Sequence, residues 1–184
     1  MSPHEIVKNT FIERYGTTPS VIVRAPGRVN LIGEHTDYNE GFVMPMAIEY
    51  AIWIALRPRQ DREVHVQALD FDTDIQLDLD NLSKEPTSPA EYIKGMAWAL
   101  MDAGYTLNGW EGVMQGDIPI GAGLSSSAAL ELVIARAFAE VSDFDWNPNQ
   151  MAVLAQKAEN QWVGVQCGIM DQMISANGKA DHAL

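Results

Sequence analysis

The stretch DIPIGAGLSSSAA, residues 117–129, decides most of what the sequence says about the fold. Residues 112–116 before it read as a strand, and from Leu124 onwards apolar residues recur at intervals of three and four. That spacing predicts a helix with one buried face. Glycines let the backbone approach a ligand closely, and a helix N-terminus presents unpaired N–H groups to an anion. The stretch therefore predicts a phosphate cradle, although a turn of this kind taken alone is more often structural.

The cradle differs from the two commonest nucleotide motifs. It has no lysine of the kind that a Walker A loop carries, and its glycines do not have the spacing of the dinucleotide fingerprint. Its serines offer hydroxyl donors and a candidate metal ligand instead. The motif by itself therefore indicates a phosphate site without naming the ligand.

Strand and helix patterns alternate on both sides of this stretch. Val7, Phe11 and Tyr15 stand four apart, which predicts a short amphipathic helix over residues 4–15. Further short runs of β-branched or alternating apolar residues predict strands at 21–25, 28–32, 51–56, 63–68 and 74–79. The acids of the last strand are expected to face solvent.

Capping residues mark two more helices. Ser88 as N-cap, Pro89 at the first helical position and Glu91 in a capping box predict a helix that ends near residue 103. Asn147 and Pro148 repeat the arrangement for a helix that reaches about residue 163. Together the elements predict an α+β domain, with a mainly antiparallel or mixed sheet and helices packed against one face.

Composition agrees with one globular domain over residues 1–184. The sequence is 47% hydrophobic and 20% charged, as in ordinary globular proteins. Its net charge of −13 argues against nucleic acid or an anionic membrane surface as the main partner. Cys167 is the only cysteine, so an intramolecular disulfide and a Cys-rich zinc site are excluded and a reducing cytoplasm is expected. The most apolar stretch, residues 41–56, is too short to span a bilayer.

A second polar segment is RAPGRVNLIGEHTDYN, residues 24–39. Glu34, His35, Asp37 and Asn39 lie within six residues, bounded by turn formers. Carboxylates accept strong hydrogen bonds from hydroxyl groups, so the segment is a candidate sugar-binding loop. Composition alone favours a solvated polar loop instead.

A third segment is GVQCGIMDQM, residues 164–173. Asp171 stands where a helix is expected to begin, and its simplest interpretation is an N-cap. Glu159 lies in the preceding predicted helix, where its simplest interpretation is a surface carboxylate.

The three segments, in this order, resemble the GHMP kinases. Three further matches make the resemblance specific to the galactokinases: RVNLIGEHTDY (residues 28–38) followed by GFVMP (41–45), KAEN (157–160) and CGIMDQ (167–172). The resemblance covers most of the chain from Val21 onwards. It implies a GHMP-kinase N-terminal domain that transfers the γ-phosphoryl of ATP to the C1 hydroxyl of galactose.

The resemblance also implies a role for each matching residue. Asp171 corresponds to the base for the sugar hydroxyl, and Arg28 to its cationic partner. The expected sugar contacts are Glu34, His35, Thr36, Asp37 and Gly168. The expected phosphate loop is Gly121, Ala122, Gly123, Leu124, Ser125, Ser126 and Ser127. The expected Mg²⁺ ligands are Ser127 and Glu159, and Tyr92 is a weaker candidate for the adenine pocket.

Two other activities stay open at this point. A related sugar 1-kinase, such as an N-acetylgalactosamine kinase, needs only a pocket open around C2. A non-catalytic galactose and ATP sensor is less expected, because Arg28, Asp171 and Ser125–Ser127 are all present. Galactokinases are roughly twice as long, so we expect the chain to be an inactive fragment that lacks a C-terminal domain. The sequence after Asp181 predicts a strand.

Overall fold

A five-stranded mixed sheet forms the centre of the molecule in the computed structural model, which describes residues 1–39, 41–85, 88–119 and 121–184. The strands are β1 (Val21–Asn30), β2 (Pro45–Pro58), β3 (Glu63–Ala68), β4 (Thr73–Asp78) and β5 (Trp110–Gly116). They lie in the order β1-β2-β5-β3-β4. β3 and β5 are parallel and the other neighbours are antiparallel. The predicted α+β fold with a mixed sheet is therefore confirmed.

Four helices pack against one face of the sheet, here called the first face, and form one apolar core with it. They are α2 (Glu91–Asp102), α3 (Ser126–Ser142), α4 (Pro148–Lys157) and α5 (Met170–Asn177). A π-helical turn, Ala158–Val163, continues α4 as far as the predicted end of that helix. The centre of the core is formed by Trp110 of β5 and Phe138 of α3, which meet edge to face.

A helix also packs on the second face of the sheet, contrary to the prediction that the helices pack on one face. Helix α1 (Pro3–Tyr15) packs Val7 and Phe11 against Ala55 and Val113 of that face. The strand residues alternate between faces, so β2 supplies Ile54 to the first core and Ala55 to the second.

The predicted capping box at the start of α2 is wrong, because the helix begins about half a turn later than predicted. The helix begins at Glu91, and Ser88 Oγ accepts a hydrogen bond from the Ala90 N–H at 3.2 Å in the turn before it. The Glu91 carboxylate accepts from the Glu85 N–H and pairs with Lys94 rather than reaching back to Ser88. Its Oε2 also accepts from Trp162 Nε1 of the π-helical turn at 2.9 Å, a tertiary contact that the local cap signal does not reveal.

The strand predicted after Asp181 is reduced to one bridge between Ala183 and Met46 of β2. In the described part of the chain, no helix combines the length and the apolar character needed to cross a bilayer.

Candidate active site

A bulge in β1 seats the phosphate loop, residues 121–127, against the sheet. The register of β1 on β2 shifts between Pro26 and Arg28, and the Arg28 N–H donates to the Leu124 carbonyl at 3.1 Å. Gly27 is required at this point, because a Cβ there would lie 2.7 Å from the Leu124 oxygen. The strands predicted separately at 21–25 and 28–32 are thus one strand, and its Pro-Gly pair marks a bulge rather than a break.

The phosphate loop has the backbone that its glycines suggested. Gly121, Gly123 and Ser125 all have positive φ, at 75°, 68° and 59°. Helix α3 starts at Ser126, so the loop ends where the free N–H groups of a 17-residue helix begin. Ile120, which belongs to the same sequence motif, lies outside the described residues. This arrangement fits an anion at the helix N-terminus.

Arg28 and Asp171 form a two-pronged ion pair at the end of β1. Arg28 Nε lies 2.7 Å from Asp171 Oδ1, and Nη2 lies 2.8 Å from Oδ2. The third nitrogen, Nη1, donates to the Gly123 carbonyl at 2.5 Å. A bidentate guanidinium–carboxylate pair fixes both groups in orientation. The structure thus places the predicted base beside the phosphate loop.

Asp171 is not an N-cap, so its simplest sequence interpretation is wrong. Helix α5 starts at Met170 with Ile169 as its cap residue, and Asp171 lies in the first turn with its carboxylate on Arg28. Ser125 Oγ donates a second hydrogen bond to Asp171 Oδ2. Ser125 was expected to contact phosphate, but here its hydroxyl holds the carboxylate that faces the loop.

Asp37 and Gly168 join the sugar loop, residues 34–39, to the start of α5. Asp37 Oδ1 accepts hydrogen bonds from the backbone N–H groups of Ile169 and Met170, each at 3.1 Å. A Cβ on Gly168 would lie 2.1 Å from the Asp37 carboxylate, so only glycine allows this approach. A cavity of about 460 Å³ opens here, lined by Asp37, Tyr38, Gln156, Gln166, Cys167, Gly168 and Ile169.

The other predicted sugar contacts differ in whether their side chains already form hydrogen bonds within the protein. Thr36 Oγ1 bonds to the carbonyls of Gly33 and Phe42, at 2.9 and 2.7 Å, and so holds the loop itself together. His35 Nδ1 meets the Tyr38 hydroxyl at 2.6 Å. Glu34 is exposed and makes no hydrogen bond or ion pair with any residue that the structure describes. Glu34 is therefore the free carboxylate of this loop, while Thr36 is committed to loop geometry.

A larger cavity of about 870 Å³ is bordered by the phosphate loop. Ser126 and Ser127 form its end nearest the loop, and apolar side chains form most of its walls. Among them are Ile52, Phe71, Tyr92, Met114, Ile118, Leu130, Trp162 and Val163. A mostly apolar cleft that also carries polar side chains suits a flat base joined to phosphates. Tyr92, the weaker adenine candidate, lies in this wall.

Glu159 is buried, contrary to its interpretation as a surface carboxylate. Its Oε2 accepts from Gln172 Nε2 at 2.7 Å and from the Cys167 thiol at 3.1 Å. Burial, with the charges of Glu159 and Glu131 as further causes, raises the pKa of Tyr92 to about 12. Burial likewise raises the pKa of the Cys167 thiol to about 12, which makes it a weak nucleophile.

The donor types of Ser127 and Glu159, a hydroxyl and a carboxylate, are compatible with a magnesium ion that is held mainly by its nucleotide. No cluster of three or more histidine, cysteine or acidic side chains capable of holding a metal occurs among the described residues. Mg²⁺ usually takes only one or two protein ligands and completes its shell with phosphate oxygens and water. Glu159 Oε1 accepts no hydrogen bond from the described part of the chain, and Ser127 faces the cavity.

Comparison with known proteins agrees with this geometry. Residues 9–58 match the galactokinase galactose-binding signature, and residues 91–179 match the GHMP kinases N-terminal domain. The galactokinase of Roseiflexus sp. (strain RS-1) is 51% identical over 178 residues, which is 97% of this chain and 46% of that protein. The chain thus spans a little under half the length of the curated relatives that it matches.

Solved structures lead to the same family. The Lactococcus lactis galactokinase complexed with galactose superposes with a TM-score of 0.92 at 34% identity, over 99% of this chain and 48% of that one. The Methanococcus jannaschii mevalonate kinase shares the fold, with a TM-score of 0.73 at 22% identity over 85% of this chain and 50% of its own. The chain therefore belongs to the galactokinase family of the GHMP kinases, and it corresponds to the N-terminal part of its members.

Proposed function

We propose that the protein of which this chain forms a part is a galactokinase, which converts galactose and ATP to galactose 1-phosphate and ADP. One observation supports this most: the Arg28–Asp171 pair lies between the phosphate loop and the loop that carries Asp37. A phosphoryl donor on one side and a sugar on the other would meet at the Asp171 carboxylate. The similarity to a galactokinase that was crystallised with galactose supports the choice of sugar.

The residues divide the work of an in-line phosphoryl transfer. Asp171 accepts the proton of the C1 hydroxyl while the C1 oxygen bonds to the γ-phosphorus and the bond from that phosphorus to the β,γ-bridging oxygen breaks. Arg28 stabilises the carboxylate and the charge on the transferring group. The N–H groups at the start of α3 bind the phosphates that leave as ADP. Ser125 keeps the base in place.

We also propose that Ser127 and Glu159 bind the Mg²⁺ of Mg-ATP. The ion, when bound, neutralises negative charge on the phosphate oxygens. The proposal places the enzyme in the cytoplasm, where ATP is available and a single thiol stays reduced. It also assigns the second wall of the site to a C-terminal domain beyond the residues present here.

The experiment that tests the function is a coupled assay of ADP release by the full-length protein with a panel of sugars. We expect galactose to be the best substrate and N-acetylgalactosamine to be poor. Equal or better turnover of N-acetylgalactosamine would assign the protein to the related sugar 1-kinases. Galactose binding without turnover of any sugar would support the sensor.

The metal ligands are tested by titration with Mg²⁺. In the full-length protein, Ser127→Ala and Glu159→Ala are each expected to raise the Mg²⁺ concentration for half-maximal activity by about tenfold or more, because each removes a ligand. Galactose binding measured without metal by calorimetry should stay unchanged, which serves as the internal control. An unaltered Mg²⁺ titration in both variants would remove both residues from the metal site.

A further inference from the structure

Gln172 joins three elements of the site through one buried amide. It follows Asp171 on α5 and is fully buried. Its Nε2 donates to Glu159 Oε2 at 2.7 Å and to Glu131 Oε2 at 3.2 Å. Glu159 belongs to the π-helical turn, and Glu131 lies on α3 one turn after Ser127. A single side chain therefore connects the helix of the base, the helix of the phosphate loop and the carboxylate assigned to the metal.

The amide is itself held by Glu131. Glu131 is fully buried, and its Oε2 accepts the hydrogen bond from Gln172 Nε2 at 3.2 Å. Glu131 Oε1 and Gln172 Oε1 are both buried without a hydrogen-bond partner. Glu131 therefore holds the Gln172 side chain through the N–H groups of its amide.

We infer that Gln172 is a positioning residue for the metal: it fixes Glu159 through Oε2 so that Oε1 stays available to the Mg²⁺ of the nucleotide. Glu131 serves as the anchor of that amide. The inference rests on the proposed function, since it takes Glu159 as a metal ligand. Partners that orient metal ligands typically change metal affinity by about 10–100-fold when they are removed.

A purely structural amide would behave differently. Gln172 could simply satisfy two buried carboxyl groups, and its loss would then lower stability without a specific effect on metal. Ser175 offers a matched control for that case. It is also buried on α5, and its hydroxyl donates to the Pro26 carbonyl at 2.8 Å without touching either carboxyl group. Ser175→Ala therefore removes a buried hydrogen bond from the same helix.

The test compares Gln172→Met and Gln172→Asn with wild type and Ser175→Ala in the full-length protein. The first variant keeps a side chain of similar length and loses the donor, and the second keeps an amide that is too short to reach Glu159. Calorimetry measures ADP affinity with and without Mg²⁺. Both Gln172 variants are expected to lose about tenfold or more of the affinity gain that Mg²⁺ gives, while metal-free ADP binding and the Ser175→Ala variant stay close to wild type.

Nucleotide binding separates this inference from the proposed function. A full Mg²⁺-dependent gain in both Gln172 variants would overturn the inference and leave a galactokinase activity untouched. Equal losses in Ser175→Ala would also overturn it, because they would show a general effect of loosening α5. Failure of the wild type to phosphorylate any sugar, with the Gln172 variants still impaired in Mg-ADP binding, would overturn the proposed activity and support the positioning role. A wild type whose ADP affinity does not respond to Mg²⁺ would contradict the inference and the proposed metal site.

Discussion

The full-length Asp171→Asn variant is expected to phosphorylate galactose at least about 10²-fold more slowly than wild type, within the range attributed to a general base. An asparagine keeps the size of the side chain but cannot accept the proton of the C1 hydroxyl. The loss should fall on kcat, with a smaller change in the KM for galactose. A coupled assay at saturating ATP over a range of galactose concentrations gives both constants.

Asp74→Asn is the matched control for this substitution. Asp74 lies on β4 in an exposed ion pair with Arg14, far along the sheet order from β1, and surface pairs of this kind contribute little to stability. Its turnover should equal that of wild type. Wild-type turnover in Asp171→Asn would remove Asp171 from the chemistry, and an equal fall in both variants would point to instability.

Gly168→Ala is expected to weaken galactose binding as much as Asp37→Ala does, by about 1–3 kcal/mol, or roughly 5–150-fold in Kd. The new methyl group would lie 2.1 Å from the Asp37 carboxylate, which must then leave the N–H groups of Ile169 and Met170. Each substitution thus removes the same link between the sugar loop and α5. Calorimetry with galactose measures the loss, and ADP binding should change little.

The double variant shows whether the two effects share this cause. If Gly168→Ala acts through a clash with Asp37, then Asp37→Ala removes that clash. The double variant should then bind galactose no worse than either single variant. Additive losses would contradict the shared mechanism. Losses of equal size for galactose and ADP would instead indicate that the segment had unfolded.

Short runs of residue types and capping residues predicted the helices and strands whose bounds depend on neighbouring residues. β3 has the bounds expected from its β-branched run, and α4 begins at Pro148 after the Asn147 cap, whose side chain accepts from the Gln150 N–H. Pro26 and Gly27 predicted a break because both residues interrupt strands in general. The contact that keeps β1 continuous comes from Leu124, almost a hundred residues later, and no local pattern could reveal it.

The candidate site also has parts that the sequence could predict and parts that depend on tertiary contacts. The segments that carry Arg28, Asp171 and Asp37 were recognisable by their residue types and by resemblance, while the pairing of Arg28 with Asp171 depends on tertiary contact. Glu131 was missed, although a signal existed: it stands three residues before Ile134 and seven before Phe138, on the apolar face of α3. An acid at such a position must find a partner in the interior or stay protonated. Gln172 became visible as that partner only in the structure.

The pairing of Arg28 with Asp171 also bears on the order in which the chain folds. The two residues are 143 positions apart, and Asp37 is separated from Met170 by 133. Contacts of such long range form at a high cost in chain entropy and depend on the parts between them being in place. The strands β1 to β5 are all complete before residue 117. During synthesis the sheet can therefore assemble while α5 is still to come. The base reaches its arginine only after that, so a nascent chain carries a phosphate loop before it carries a proton acceptor.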